Sequence, residues 1–392
     1  MKVLWHGEYL NPTGFAQVTK SLVGYLKNDL DITVLDWQKR LADNIDNPMV
    51  PVDFDGIKLL GCLGEKDAEA ALQMQFMNIH KYDCVFIIND VWNIDHTLQI
   101  LKFREYKGKV ICYFPVDARG HDPEWYANFD IVTRAVTYTE FARKVVLQAA
   151  PQIESKLSIL PHGSANTFYE ITDQSKSEIR EKLFGSDAYN DKFIFLNANR
   201  NQPRKRLDIT MEAFSYAAKN VDDMRLYMHC GNTDNSMHIQ KLAKRFGIED
   251  KLIMSGDRDH HGMMKVSTSD LNRIYNACDV GVNSGMGEGW GLFNTEMGAL
   301  GKLQIVPASS ASQELFEGLF RQIAIKAEYT FDNIMTVGAI PDVRSLADLM
   351  GKAYRMGAPE RLLLCQKTKE RFTSPEFLWS NIAQKWKALF LE

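Results

Sequence analysis

The stretch VGVNSGMGEGWGLFNTE, residues 280–296, carries the densest pattern in the sequence. Its first residues, 280–283, have the pattern of a short buried strand, and residues 293–300 have the composition of a helix. The glycines between strand and helix predict a turn where the backbone can approach a ligand closely. The free N–H groups and the positive dipole at the start of the helix predict an anion site, most simply for phosphate.

Two carboxylates belong to this stretch, Glu288 in the turn and Glu296 about one turn into the helix. Their positions allow both side chains to face the same crevice. Carboxylates beside an anion site are best explained as acceptors for the hydroxyl groups of a sugar or a ribose. A glycine-rich turn with a capping glutamate would account for the glycines alone, and this alternative stays open.

Short apolar runs alternate with amphipathic segments along the chain, as they do in doubly wound α/β domains. In the first part, the pattern predicts strands at residues 2–5, 32–35, 84–89, 110–115, 135–139 and 157–160, and helices at 15–26, 68–79, 96–103 and 140–149. In the second part, it predicts strands at 193–197, 225–230, 252–255, 280–283 and 303–306, and helices at 177–184, 208–220, 238–246, 271–277 and 293–300. Strands that are apolar on both faces indicate parallel sheets covered by helices on both sides. The sequence therefore predicts two successive Rossmann-like domains.

We place the boundary between these domains near residue 170, which gives a first domain at residues 1–170 and a second at 171–374. Residues 375–392 contain a predicted C-terminal helix. Its apolar stripe consists of Phe377, Leu378, Ile382, Trp386 and Phe390. A monomer does not tolerate that much exposed apolar surface, so we expect the helix to pack on a domain.

Composition and charge exclude several classes of protein. The chain has 392 residues, of which 45% are hydrophobic and 24% charged; these globular values exclude a disordered chain and a coiled coil. With 46 Lys and Arg against 50 Asp and Glu, the net charge is −4. We therefore expect no nucleic-acid partner, since such partners usually select a basic surface.

The cysteines and the apolar runs indicate where in the cell the protein is found. The six cysteines are scattered without a CxxC pair, which is typical of buried thiols in a reducing compartment. The N-terminus lacks the apolar core of a signal peptide, and no apolar run is long enough to span a membrane. We expect a cytoplasmic protein without a transmembrane segment, and the sequence leaves peripheral contact with a membrane open.

Three stretches make the sequence resemble a known family. Glu288 and Glu296, within EGWGLFNTE, resemble the E-x7-E signature of retaining GT-B glycosyltransferases, especially family 4 (glycosyl transferases group 1). Residues 159–168, ILPHGSANTF, are similar to the segment I-P-H/N-G-V-D-x-x-x-F that closes the N-terminal domain in this family. Residues 197–206, NANRNQPRKR, are similar to its G-R-x-x-x-x-K-G stretch, with Arg206 where glycine is usual.

The resemblance covers roughly residues 1–310 in order and spacing. It implies the GT-B fold, in which two Rossmann-like domains face each other across a cleft and the C-terminal helix crosses back to the N-terminal domain. The first domain would then bind the acceptor, and the second the nucleotide-sugar donor.

The resemblance also implies roles for residues of the second domain. Arg200 and Lys205 would bind the donor diphosphate and neutralise the negative charge that develops on the leaving group. Because Arg204 and Arg206 flank Lys205, the residue that corresponds to the family lysine stays open by one position.

The glycine-rich stretch would bind the rest of the donor. Glu288 would hold hydroxyl groups of the transferred sugar, and Glu296 would take the ribose hydroxyls. Four consecutive backbone N–H groups would hold phosphate, those of Gly289, Trp290, Gly291 and Leu292.

In the first domain, Gly14 lies in a Pro-Thr-Gly-Phe turn that matches the family's glycine loop, which reaches toward donor phosphate and acceptor. Asp117 follows a central strand, at whose carboxyl end ligands bind in open α/β sheets. It would orient an acceptor or a sugar hydroxyl, or else cap a turn. Trp92 suits stacking on a sugar ring or packing in a core, and His162 suits a structural role or a substrate contact.

We expect neither a metal nor a cofactor. Asp257 and Asp259 form the DxD pattern of metal–diphosphate sites, but the pattern is weak, and a GT-B enzyme that uses Arg and Lys does not need a divalent ion. His260 and His261 have no further ligand at metal-binding spacing.

The sequence thus predicts a retaining glycosyltransferase that moves a sugar from a nucleotide-diphosphate sugar, UDP- or GDP-linked, to a hydroxyl of a glycan or other acceptor. Other functions on the same fold stay open. They are a sugar-nucleotide epimerase, a nucleic-acid-base glucosyltransferase and a non-catalytic GT-B scaffold subunit.

Overall fold

The computed structural model describes residues 1–36, 51–61, 76–164, 167–233, 236–254 and 266–392. The chain separates into two compact units. Unit 1 consists of Met1–His162 and Trp379–Glu392, and unit 2 consists of Gly163–Leu378.

Both borders of unit 2 differ from the predicted borders near residue 170 and at residue 375, and aromatic contacts explain why. Phe168 packs on Tyr275 in the core of unit 2, with ring centroids 5.2 Å apart. Phe377 packs on Phe372 at 5.5 Å and on Trp290 at 5.9 Å. These rings attach the chain on both sides of the predicted second domain to unit 2.

In unit 1, strands alternate with helices. Its elements begin with β1 (Lys2–His6), α1 (Gly14–Leu26), β2 (Asp31–Asp36), β3 (Val52–Phe54), β4 (Ile57–Gly61), β5 (Cys84–Ile88), α2 (Val91–Phe103), β6 (Lys109–Tyr113), β7 (Arg134–Thr137), α3 (Glu140–Ala149) and β8 (Leu157–Ile159). Short 3-10 helices cover Phe76–Lys81, Pro123–Tyr126, Phe129–Ile131 and Pro151–Lys156. The predicted helix 68–79 lies largely outside the described residues, and its described end belongs to the first of these 3-10 helices.

Among the described residues, eight strands form the sheet of unit 1, in the order β3-β4-β2-β1-β5-β6-β7-β8. Neighbouring strands are parallel, except that β3 and β4 form an antiparallel hairpin at one edge, which the sequence pattern did not predict. The central strand β5 is buried along its whole length, as expected for a strand covered on both faces. The strand order reverses between β1 and β5.

Unit 2 repeats the alternation. Its elements are α4 (Lys176–Phe184), β9 (Phe193–Asn197), α5 (Leu207–Ala217), β10 (Met224–Met228), α6 (Ile239–Phe246), β11 (Leu252–Met254), α7 (Thr268–Ala277), β12 (Val280–Val282), α8 (Leu292–Ala299), β13 (Leu303–Ile305), α9 (Ser310–Leu315), β14 (Ile325–Thr330), β15 (Val337–Pro341), α10 (Val343–Arg355) and α11 (Ala358–Phe372). Short 3-10 helices cover Asp187–Tyr189, Pro203–Lys205, Glu249–Lys251 and Pro375–Phe377.

The main sheet of unit 2 has the order β11-β10-β9-β12-β13 and is parallel throughout its described strands. Its strand order reverses between β9 and β12. Between residue 306 and the C-terminal helix, the sequence pattern predicted no elements. The structure has a separate antiparallel hairpin there, β14–β15, and the helices α9, α10 and α11. Two α/β units with parallel Rossmann-like sheets confirm the predicted fold class.

The last helix, α12 (Trp379–Leu391), belongs to unit 1. It begins later than the predicted helix, because a 3-10 helix precedes it. Trp386 and Phe390 on its apolar stripe are fully buried. The Trp386 ring packs on Phe86 at 5.2 Å and on Tyr113 at 4.8 Å, so α12 forms part of the core of unit 1.

None of the helices in the described part of the chain combines the length and the hydropathy that a membrane-spanning segment needs.

Candidate active site

In unit 2, β9 and β12 lie side by side at the point where the strand order reverses. In open α/β sheets, ligands bind outside the carboxyl ends of the strands at this switch point. The chain after β9 carries Arg200 and Lys205, and the turn after β12 carries Glu288. The sheet therefore brings residues that are distant in sequence to one edge.

Lys205 and Glu288 form a buried ion pair. The Nζ atom of Lys205 lies 2.5 Å from Oε1 of Glu288, and the two side chains are only 10% and 7% exposed. Asn283, directly after β12, donates from Nδ2 to the same oxygen at 3.0 Å. Burial alone would raise the pKa of Glu288, but the charges of Lys205 and Arg204 and the two hydrogen bonds outweigh it, and the pKa is lowered. The carboxyl group of Glu288 is therefore ionised at neutral pH.

The three consecutive basic residues have different partners. Arg204 donates from its guanidinium to the carbonyl oxygen of Gly287 at 3.0 Å, and Arg206 pairs with Asp208 at 2.8 Å. Lys205 is paired with Glu288 through its side chain. Arg206 has a φ of 46°, in the left-handed region that favours glycine.

The glycine-rich turn leads directly into the N-terminus of α8. Gly291 has a φ of 86° and is the N-cap residue of this helix. A glycine N-cap brings no side chain to occupy the first N–H groups of the helix. Gly289 and Trp290 are buried, whereas Gly291 and Leu292 are partly exposed. This backbone has the arrangement of an anion site.

Asn294 connects the start of α8 to the ion pair, a role that the sequence analysis missed. Its Oδ1 accepts from Nδ2 of Asn283 at 3.1 Å, and its own Nδ2 donates to Gln304 at 2.8 Å. All three side chains are buried. The signal in the sequence was the pair of amides in NSGMGEGWGLFN, which lie on either side of the turn.

Glu296 has a separate environment. Its carboxyl group is buried, and the hydroxyl of Tyr275 on α7 donates to Oε2 at 2.9 Å. Burial raises the pKa of Glu296 to about 8, although the Tyr275 hydrogen bond lowers it in part. Glu296 is therefore largely protonated near neutral pH, in contrast to Glu288.

We expect a Glu296→Gln variant to lose part of the pH dependence of stability. The pKa of Glu296 is raised from 4.5 to about 8, so between these values the folded protein holds a proton that the unfolded chain releases. The free energy of unfolding should therefore fall as the pH rises through this range, by up to about 1.4 kcal/mol per pH unit. Urea unfolding at several pH values measures the slope. Equal slopes in the variant and the wild type would contradict the raised pKa.

Arg200 is exposed in the loop after β9. The buried Asn199 beside it donates from its backbone N–H and from Nδ2 to Oδ1 of Asn197, at 3.1 and 3.0 Å. These bonds fix the start of the loop at the end of the strand. Arg200 is thus near the switch point, but it is not part of the buried Lys205–Glu288 pair.

The candidate residues of unit 1 also follow strands. Gly14 is the exposed first residue of α1, after β1, and Thr13 caps that helix by accepting from the Ala16 N–H at 3.2 Å. Asp117 is half-buried after β6 and lies near the buried His121. Burial lowers the pKa of His121 to about 4, against the opposing effect of Asp117. No pattern in the sequence pointed to His121.

Trp92 and His162 pack with other aromatic side chains. Trp92, partly exposed on α2, packs on Trp125 with ring centroids 5.3 Å apart. His162 is buried, its Nδ1 lies 2.7 Å from the hydroxyl of Tyr113, and burial lowers its pKa to about 3. These contacts give His162 a place in the core of unit 1.

Asp257, Asp259, His260 and His261, which the sequence analysis weighed as metal ligands, lie outside the described residues. Within the ranges that the structure describes, no three His, Cys, Asp or Glu side chains are grouped as a metal ion would require.

Known proteins resemble the chain in sequence over part of unit 2 and in fold over its whole length. Residues 178–330 match the family described as Glycosyl transferases group 1. No curated protein matches the chain.

Three solved structures illustrate the similarity in fold. HepE from Anabaena, in complex with UDP and glucose, has a TM-score of 0.73 and 13% identity, over 100% of this chain and 99% of its own. Sucrose-phosphate synthase from Thermosynechococcus elongatus has a TM-score of 0.74 and 13% identity, over 100% of this chain and 98% of its own. A glycosyltransferase from Rickettsia africae has a TM-score of 0.73 and 13% identity, over 99% of this chain and 97% of its own. The chain has the GT-B fold, and its residues 178–330 are similar in sequence to the glycosyl transferases group 1 family.

Proposed function

We propose that the chain is a retaining glycosyltransferase that moves a sugar from a nucleotide-diphosphate sugar to a hydroxyl group of a glycan or other acceptor. The buried pair of Lys205 and Glu288 at the switch point of unit 2 carries the proposal. The family match of residues 178–330 supports it. HepE was solved with UDP-glucose, which makes a UDP-sugar the first donor to test and a GDP-sugar the second.

In this proposal, the diphosphate lies between Lys205 and the N-terminus of α8. When the bond between the anomeric carbon and the phosphate oxygen breaks, the electron pair stays on that oxygen. A fixed cation and helix N–H groups stabilise the negative charge that develops there. Arg200, exposed on the neighbouring loop, supplies a second cation to the same diphosphate.

Glu288 would hold the transferred sugar. Lys205 and Asn283 both contact its Oε1 atom, so we assign the hydroxyl groups of the sugar to Oε2. The lowered pKa keeps this carboxylate an acceptor. Glu296 is assigned to the ribose hydroxyls; in its protonated form it can also donate a hydrogen bond.

The acceptor hydroxyl would attack from the face that the leaving phosphate occupies. Its oxygen bonds to the anomeric carbon, its proton goes to the departing phosphate oxygen, and the configuration of the sugar is retained. A separate general base is then unnecessary. Gly14 and Asp117 are the residues of unit 1 that we assign to phosphate and acceptor contacts.

Release of UDP or GDP from a panel of UDP- and GDP-sugars tests this function. We expect one donor to be consumed by the wild type and by a Glu249→Gln control, whose side chain is exposed, and not by Glu288→Gln. NMR of the product should show the anomeric configuration of the donor. An inverted product would contradict retention, a changed sugar without transfer would indicate an epimerase, and no turnover at all would favour a scaffold.

We further propose that transfer needs no metal ion, and we expect the rate to be unchanged by EDTA. Lys205, Arg200 and the helix N-terminus would already neutralise the leaving diphosphate. Initial rates with EDTA, Mg²⁺ and Mn²⁺ give the comparison. Loss of activity with chelator and recovery with Mn²⁺ would contradict this proposal and make Asp257 and Asp259 candidate ligands.

A further inference from the structure

Ser310, the first residue of α9, has an unusual backbone conformation. Its φ is 49°, in the left-handed region that glycine adopts freely and that other residues enter at a cost. The residue is only 8% exposed. Glycine would fit this backbone without strain, so the presence of serine points to a use for its hydroxyl group.

That hydroxyl group contacts the backbone of Glu288. The Glu288 N–H donates to Oγ of Ser310 at 3.0 Å, and the next residue, Ala311, donates its N–H to the Glu288 carbonyl oxygen at 3.2 Å. Both backbone polar groups of Glu288 are therefore bound to the start of α9.

The two preceding residues of the turn are held from other directions. The Met286 N–H donates to the carbonyl oxygen of Arg204 at 2.8 Å, and the Met286 carbonyl oxygen accepts from the N–H of Ala339 on β15 at 2.7 Å. The Gly287 carbonyl oxygen accepts from the Arg204 guanidinium at 3.0 Å. At Glu288, by contrast, the backbone N–H donates to a side chain, the hydroxyl group of Ser310.

We propose that Ser310 is a positioning residue of the donor site: its hydroxyl group fixes the peptide plane of Glu288 and thereby aims the carboxylate at Lys205 and the donor sugar. The proposal rests on the proposed function. Misplacement of a substrate-binding group by about 1 Å can cost about 10²-fold in rate, so a fixed peptide plane at Glu288 matters.

Two substitutions separate this role from simple packing. Ser310→Gly removes the hydroxyl group and relieves the strained φ, whereas Ser310→Ala removes the hydroxyl group and keeps the strain. Ser309→Ala is the matched control, because the buried Oγ of Ser309 has no hydrogen-bond partner in the described part of the chain. Glu105, exposed in unit 1 with a φ of 50°, gives a second control as Glu105→Gly and Glu105→Ala.

We expect the two Ser310 variants to differ in stability but to lose activity to a similar extent. Ser310→Gly should unfold at a higher Tm than Ser310→Ala by about 2–4 °C, and the two Glu105 variants should differ similarly with normal activity. Both Ser310 variants should nevertheless lose about tenfold in kcat, the effect of one hydrogen bond. If Ser310→Gly turns over donor at the wild-type rate, the hydroxyl group has no positioning role.

Hydrogen exchange tests the contact without any assay of activity. In the nucleotide-free protein, the peptide that contains the Glu288 N–H should exchange about tenfold faster in both Ser310 variants and normally in Ser309→Ala. Unchanged exchange in the Ser310 variants would overturn the proposal. If the wild type consumes no sugar nucleotide but exchange is faster in the Ser310 variants as expected, the proposed function is overturned and the contact of Ser310 with Glu288 stays supported.

Discussion

Replacing Lys205 with methionine is expected to slow sugar transfer by about 10²–10³-fold and to destabilise unit 2 by about 3–5 kcal/mol. The first effect follows from the loss of the cation that faces the leaving phosphate. The second follows because Glu288, whose side chain is 7% exposed, would keep a buried charge without its partner. Donor consumption and urea unfolding of the variant measure the two effects.

Two further variants distinguish the effect of the unpaired charge on stability from the effect of the lost cation on transfer. Adding Glu288→Gln to Lys205→Met removes the unpaired charge, so stability should largely return while transfer stays at least as slow as in Lys205→Met. Arg200→Met should slow transfer with little change in stability, because Arg200 is exposed. A Lys205→Met protein that transfers sugar at the normal rate would show that the diphosphate lies elsewhere.

Replacing Trp386 with alanine is expected to destabilise unit 1 by about 3–5 kcal/mol. Trp386 is fully buried, and its ring contacts Phe86 and Tyr113 on the central strands β5 and β6. Truncation would leave a cavity beside the sheet that neighbouring strands cannot close. The measurement is urea unfolding followed by near-ultraviolet circular dichroism.

The matched control for Trp386 is Leu391→Ala at the end of the same helix. Leu391 is 58% exposed, so its truncation should change stability by less than about 0.5 kcal/mol. Equal effects at the two positions would show that α12 does not complete the core of unit 1.

The alternation of elements could be predicted from the sequence because it depends on local patterns of burial. Central strands such as β5 are apolar without interruption, and helices such as α1 bury one face. The short edge hairpin β3–β4 has no such signal, since Asp53 and Phe54 are exposed. The start of α2 at Val91 was also missed, because Asn93 and Asp95 in its first turns made the segment resemble a loop.

The candidate site could be predicted only in part, for a similar reason. Glu288 stood out because glycines surround it in sequence. The partners that set its charge and orientation, Asn283 excepted, lie far away in the chain: Arg204 and Lys205 follow another strand, and Ser310 begins a later helix. The environment of Glu296 likewise depends on Tyr275, on a different helix. Such contacts become visible only once the sheet has brought its loops together.

The place of α12 in the chain has a consequence for biosynthesis. This helix lies in the core of unit 1, yet the ribosome makes it only after all of unit 2. While unit 2 is being synthesised, the nascent first unit still exposes the surface that Trp386 and Phe390 later cover. We therefore expect unit 1 to complete its native packing only once the last helix has been made, and to depend on chaperones until then. An interrupted translation product would keep that apolar surface exposed and so be recognisable to proteases as unfinished.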